Sequence, residues 1–200
     1  MKRLPLAFYA RDAVSVARDL IGCILVHDDI EGRTAVRIVE DEAYRGVLDP
    51  GSHGHRGVTR RTEVMYGHPG RLYVYFSYGM HWCANVVCAP KGECEAVLLR
   101  AGEPVEGLEL MRARRAGVAG DRILAAGPAR LTQAMGIGKQ HNGASLLRGA
   151  KLFIAADSST DAYRAGEIAQ TVRVGLGAGK GQEIPWRFVV PGNRYASRRS

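Results

Sequence analysis

The chain has 200 residues, 46% hydrophobic and 24% charged, with 28 Lys and Arg against 20 Asp and Glu for a formal charge of +8. That composition excludes a disordered chain and supplies enough apolar material for one core, so residues 1–200 read as one domain. Cys23, Cys83, Cys88 and Cys94 form no Cys-x-x-Cys pair, which excludes a structural zinc motif, and they are too few for a disulfide scaffold. No signal-peptide pattern and no run of about 18 apolar residues is present, so no membrane partner is expected and the chain reads as cytoplasmic and reduced.

In chain order, Asp12 is placed to cap a helix that runs to about Ile21 and ends at Gly22, with Val14, Ala17 and Ile21 on one face. Cys23 to His27 predicts a strand, Asp28 to Gly32 its turn, and Thr34 to Tyr44 the returning strand. Residues 46–58 form a loop of glycines with Asp49, His53 and His55, and Thr59 caps a short helix to Tyr66. Leu72 to Ser77 and Met80 to Val87 predict a hairpin joined at Tyr78-Gly79, with Glu95 to Ala101 as a third strand. Pro104 to Ala116 predicts a helix, and Pro128 opens another that stops at Gly136. Lys151 to Ala155, Gln170 to Leu176 and Trp186 to Val190 predict strands. The glycine-rich stretch 175–181 lacks the setting of a dinucleotide fingerprint and reads as a loop, and residues 191–200 as a basic tail.

Several groupings carry chemistry. Glu40, Glu42 and Tyr44 lie two apart on one strand and share a face; the two carboxylates either raise one another's pKa, bind a cation or serve as loop caps. Asp49, His53 and His55 offer ligand types for a metal, but no further ligand follows, and a hydrogen-bonding histidine in a pocket suits the pattern better. Tyr73 and Tyr75 share a strand face that either stacks a planar ligand or simply packs a sheet. Tyr78, beside Gly79 at the hairpin tip, projects from its own sheet and has the form of a wedge for a DNA duplex. The positive charge is uneven: residues 1–100 are net +1 and residues 101–200 net +7, with Arg112, Arg114, Arg115 and Arg122 in one cluster and Arg194, Arg198 and Arg199 in another. Such clusters form a phosphate-binding face or a solvated surface. Lys2 and Lys91 are the only lysines before residue 139, so no amine stands near the carboxylate and aromatic segments in sequence.

The segments Val39-Glu40-Asp41-Glu42-Ala43-Tyr44, Asp49-Pro50-Gly51-Ser52-His53, Gly70 to His81, Asn85 and Val97-Leu98-Leu99-Arg100-Ala101 resemble the alkyladenine/3-methyladenine DNA glycosylase family, of the human type rather than the helix-hairpin-helix type. Gly127-Pro128-Ala129-Arg130-Leu131-Thr132-Gln133-Ala134, Arg173-Val174-Gly175 and Pro185-Trp186-Arg187-Phe188 are similar to its later blocks. The chain departs from the family at Thr59-Arg60-Arg61-Thr62, where Thr-Pro-Arg-Asn is common.

The resemblance implies an α+β fold: a curved, mainly antiparallel sheet surrounded by helices, with a protruding hairpin that inserts into DNA. It implies a monofunctional enzyme, without metal or cofactor, that flips an alkylated or deaminated purine from duplex DNA and hydrolyses its N-glycosidic bond, leaving an abasic site. Glu42 matches the general base, and Arg100 and the Val174 carbonyl the groups that help hold its water. Tyr44 and Tyr75 match the walls of the base pocket, His53 a recognition residue, Asn85 the group that excludes the guanine amino group, and Tyr78 the intercalating residue. The implied partner is double-stranded DNA, bound by a monomer because one lesion has no two-fold symmetry. A non-cleaving lesion binder and a metal-dependent hydrolase using Glu40, Glu42, Asp49 and His53 are the alternatives.

Overall fold

A computed structural model describes residues 1–77 and 79–197. Tyr78, Arg198 and Arg199, all singled out above, lie outside the described residues. The strands are β1 (Lys2–Arg3), β2 (Ile24–Asp29), β3 (Gly32–Tyr44), β4 (Leu72–Ser77), β5 (His81–Cys88), β6 (Glu95–Glu106), β7 (Leu152–Ala156), β8 (Ala169–Thr171) and β9 (Arg187–Val189). The helices are α1 (Leu6–Tyr9), α2 (Ala13–Leu20), α3 (Leu108–Arg114), α4 (Pro128–Ala134) and α5 (Thr160–Ala165). The fold is mixed α and β around one sheet of order β1-β7-β2-β3-β6-β5-β4, with β9 beside β3 and β8 beside β9. Every strand pairing among the described residues is antiparallel.

Strand β3 organises the sheet. Residues 32–37 pair with β2, residues 40–42 pair with β9, and β6 runs along the opposite edge for nearly the whole length. The β3–β6 register shifts between Ala35 and Val36 and again on both sides of Glu40. Such bulges bend a strand and increase its twist, which curves the sheet where β9 joins. Helix α2 covers one face of β3 and β6. Asp12 accepts a hydrogen bond from the Ser15 N–H at 2.9 Å as N-cap, and Ala13, Val16, Ala17 and Leu20 are fully buried. The buried stripe is centred on these four residues; Val14 is only half-buried.

Three sequence expectations are corrected. Pro104 lies in β6, opposite Val36, and helix α3 starts only after Gly107, whose φ of +77° breaks the strand. Cross-strand pairing with β3 overrides the helical pattern there, and the bulge between Ala35 and Val36 accommodates a residue that lacks an N–H. The β4–β5 hairpin pairs Ser77 with His81, so its connection has three residues, 78–80, rather than two. Residues 172–176 leave the sheet after the short strand β8.

Candidate active site

Four carboxylate and guanidinium groups converge where β3, β6 and β9 meet. Glu40 and Glu42 are fully buried, and Arg100 of β6 and Arg187 of β9 are nearly so. The Arg100 Nε–H and the Arg187 Nε–H each donate to Glu40 Oε1 at 2.8 Å. Arg100 also places Nη1 3.2 Å from Glu42 Oε1. Burial alone would raise the Glu40 carboxyl, but the charges of Arg100 and Arg187 outweigh it and hold the group below the usual carboxylate range.

Glu42 is fixed by two hydrogen bonds and one ion pair. The Val174 N–H donates to Oε1 at 2.7 Å, the Tyr44 hydroxyl donates to Oε2 at 2.8 Å, and Arg100 faces Oε1. Burial, then the charge of Glu42, raises the Tyr44 phenol well above its ordinary value, so it remains a donor. The observed contact of Val174 with Glu42 is made by its N–H.

In front of this cluster lies a cavity of about 450 Å³. Its wall includes Tyr44, His53, Tyr75, Asn85, Arg100 and Val174, which brings together six of the residues selected from sequence. Glu42 is absent from the wall; it sits behind Tyr44, Arg100 and Val174. Tyr73 and Tyr75, two apart on β4, stack with centroids 5.5 Å apart, and the His53 ring meets Tyr75 edge-on at 4.5 Å. His53 Nδ1 lies 3.2 Å from the Tyr73 hydroxyl. Burial, reinforced by the charge of Arg61, lowers His53 to about 4, so its ring is neutral at neutral pH. The Asn85 amide donates to the Tyr73 carbonyl at 3.3 Å and is anchored.

Asp49 and Arg173 tie the histidine loop to the segment carrying Val174. Arg173 Nη1 and Nη2 bond the two Asp49 oxygens at 2.5 and 2.8 Å, and Asp49 also accepts from the N–H groups of Arg45 and Gly51. The Arg173 guanidinium stacks over the Tyr44 ring at 4.6 Å and the Trp186 ring at 5.2 Å. Asp49 is thereby committed to an arginine. His55 Nδ1 lies 2.9 Å from the Val47 carbonyl, so its ring is engaged away from His53. Glu40 and Glu42 are likewise held by guanidiniums. Among the described residues no three His, Cys, Asp or Glu side chains group as metal ligands.

The sequence analysis singled out Glu40 without its arginine partners and gave Arg173 and Arg187 no role. Glu40, Arg173 and Arg187 shape the site through contacts across more than 120 residues or between strands, which local spacing does not reveal. Lys180, on the glycine-rich loop, also lines the cavity. Separation of lysines from the carboxylates along the chain therefore does not carry into space.

A model of the methylpurine-DNA glycosylase family matches residues 7–194. The chain belongs to the methylpurine-DNA glycosylase family. It is 50% identical over 194 residues to a protein of Burkholderia lata, covering 97% of this chain and 90% of the relative. It is 51% identical over 197 residues to one from Methanoculleus marisnigri, covering 98% and 99%, and 52% identical over 197 residues to one from Leifsonia xyli, covering 96% and 89%. All three relatives bear the name 3-methyladenine DNA glycosylase. The chain is thus a DNA glycosylase of the base-excision type, and the cavity in front of Glu42 is the candidate base pocket of this glycosylase.

Proposed function

We propose that this glycosylase flips alkylated or deaminated purines from duplex DNA into the cavity and hydrolyses their N-glycosidic bond with a water activated by Glu42. The observation that carries the proposal is the setting of Glu42: a buried carboxylate fixed by the Val174 N–H, the Tyr44 hydroxyl and Arg100, directly behind an aromatic cavity.

A stacked base is out of reach, and extrusion costs a few kcal/mol. Tyr78, between β4 and β5 in the chain, offsets that cost by filling the gap through the minor groove. The flipped purine stacks against Tyr44 and Tyr75. Alkylation at N3 or N7 makes the purine cationic, and electron-rich rings favour a cation by roughly 0.5–2 kcal/mol per good contact. His53 recognises the nucleotide, and the anchored Asn85 excludes a guanine amino group.

A carboxylate has about four acceptor positions. Two are taken by hydrogen bonds on Glu42, one on each oxygen, and Arg100 faces Oε1, so Oε2 keeps an open position for a water. The Val174 carbonyl and Arg100 help orient that water. The ionised carboxylate takes the water proton and stabilises positive charge developing on the sugar. A purine alkylated at N3 or N7 takes the bonding pair and leaves as neutral free base, an uncharged deaminated purine also takes up the proton that the water gave to Glu42, and the deoxyribose keeps the water oxygen as an abasic site. No metal or cofactor takes part, and the enzyme acts as a monomer.

The test is excision from duplexes carrying one defined lesion each, comparing wild type, E42Q and Y78A at one salt concentration. Alkali reveals abasic sites, and an untreated lane reveals strand cleavage. Release by wild type, none by E42Q, less by Y78A and no break before alkali are expected. Equal release by E42Q, or breakage before alkali, overturns the hydrolytic scheme. Tight lesion binding without release moves the protein to the non-cleaving alternative.

A further inference from the structure

The segment after β9 turns back towards the catalytic cluster. A turn closes it, the Ala196 N–H donating to the Asn193 carbonyl at 3.2 Å. Ser197 then reaches the buried end of β3. Its backbone N–H donates to Glu40 Oε2 at 2.6 Å, and its hydroxyl donates to Glu40 Oε1 at 2.7 Å. The Arg100 Nη2 lies 3.5 Å from the same hydroxyl.

Glu40 therefore gathers four donors: Arg100 and Arg187 through Nε, and Ser197 through its N–H and hydroxyl. Three of them meet on Oε1. This carboxylate makes no contact with Glu42 and is absent from the cavity wall, so the hydrolysis proposed above leaves it without a part. Its geometric effect falls on Arg100. A guanidinium held at Nε by one carboxylate has its plane fixed, and Nη1 is thereby aimed at Glu42 Oε1. Without Glu40, Arg100 is free to swing fully onto Glu42 and occupy the acceptor position that a water needs. Without the Ser197 donors, Glu40 keeps both arginines but loses one of three contacts on Oε1 and the only hydrogen bond to Oε2 among the described residues.

We propose that Glu40 and Ser197 are positioning residues for Arg100, so that the tail is part of the catalytic centre. The inference rests on the hydrolytic role proposed for Glu42 and Arg100. It assigns residues 191–197 a task beyond adding positive charge.

The test uses the full chain with S197A, S197T, S197P and E40Q. Single-turnover excision at saturating enzyme and lesion-duplex Kd are measured across pH. The Arg100 Nε–H is followed by NMR as an exchange-protected signal. S197A is expected to slow excision 3- to 10-fold, and S197P, which also removes the N–H, further still. S197T restores the rate to within 2-fold of wild type. E40Q slows excision 10- to 100-fold. Kd stays within 3-fold throughout, and the Arg100 signal loses protection in E40Q and S197P.

Wild-type rates in S197A and S197P, or rate losses matched by equal losses in Kd, overturn the inference. If wild type itself releases no base while the Arg100 signal responds as described, the hydrolytic role falls and the positioning contact stands. If wild type is active and neither signal nor rate responds, only the positioning inference falls.

Discussion

Asp49 and Arg173 stand 124 positions apart in the chain and form a two-pronged ion pair in which neither side chain is exposed. The pair joins the loop that carries His53 to the segment that carries Val174. Arg173 also donates to the Ala43 carbonyl at 3.1 Å, one residue from Glu42. A single guanidinium thus ties the loop that carries His53 to the strand that carries Glu42.

Removing one member leaves a buried, uncompensated charge. Arg173→Met is expected to cost about 3–5 kcal/mol of stability. Urea denaturation monitored by circular dichroism checks this. D49N/R173M is expected to recover part of the loss, because no isolated charge remains.

Tyr44→Phe removes the hydroxyl that donates to Glu42 Oε2 and leaves the ring on the cavity wall. A hydrogen bond to a charged group contributes about 1.5–3 kcal/mol, so single-turnover excision is expected to fall roughly 10- to 100-fold. Lesion-duplex Kd is expected to stay near wild type. An equal loss in Kd and rate would assign the hydroxyl to binding instead.

His53 loses its proton only near pH 4, because burial first and Arg61 second disfavour the charged ring. The unfolded chain, at about 6.5, binds more protons between those values. Stability from this site is therefore present above pH 6.5 and lost as pH falls towards 4. Carbon-detected NMR titration of the ring is expected to give a midpoint near 4 in wild type. In Arg61→Gln the midpoint rises but stays below 6.5, since burial remains.

Asp41 points opposite to its neighbours Glu40 and Glu42. It is fully buried, and neither carboxyl oxygen has a hydrogen-bond partner among the described residues. Burial first, then the charges of Glu40 and Glu42, raises its pKa well above 3.8. The folded state therefore holds a proton that the unfolded state releases, and stability falls as pH rises from about 4 towards the folded value. Asp41→Asn does not titrate. Its melting temperature is expected to exceed that of wild type at pH 7 to 8, with the gap closing towards pH 4.

Local signals in the sequence located much of this molecule. The Asp12 cap, the stop at Gly136 and the alternation of Tyr73 with Tyr75 each arise from backbone geometry within a few residues, and each stands in the structure. Pro104 was misplaced because pairing with β3 decides its conformation, and nothing nearby announces that pairing. Tyr44 and His53, marked by their spacing, and Asn85 and Val174, visible only through resemblance, do meet at one cavity. The supports behind them were illegible for a physical reason. Glu40 with Arg187, and Asp49 with Arg173, are contacts between distant strands and loops, and charge type alone does not pair them.

The bulged stretch of β3 also bears on when the molecule becomes competent during its own synthesis. Glu40 and Glu42 leave the ribosome early, and Arg100 follows midway. Arg187 and Ser197 are made after both. Until then Glu40 lacks three of the four donors that surround it in the finished protein. A nascent or prematurely terminated chain can build much of the sheet and the aromatic walls, yet its carboxylate cluster stays incomplete.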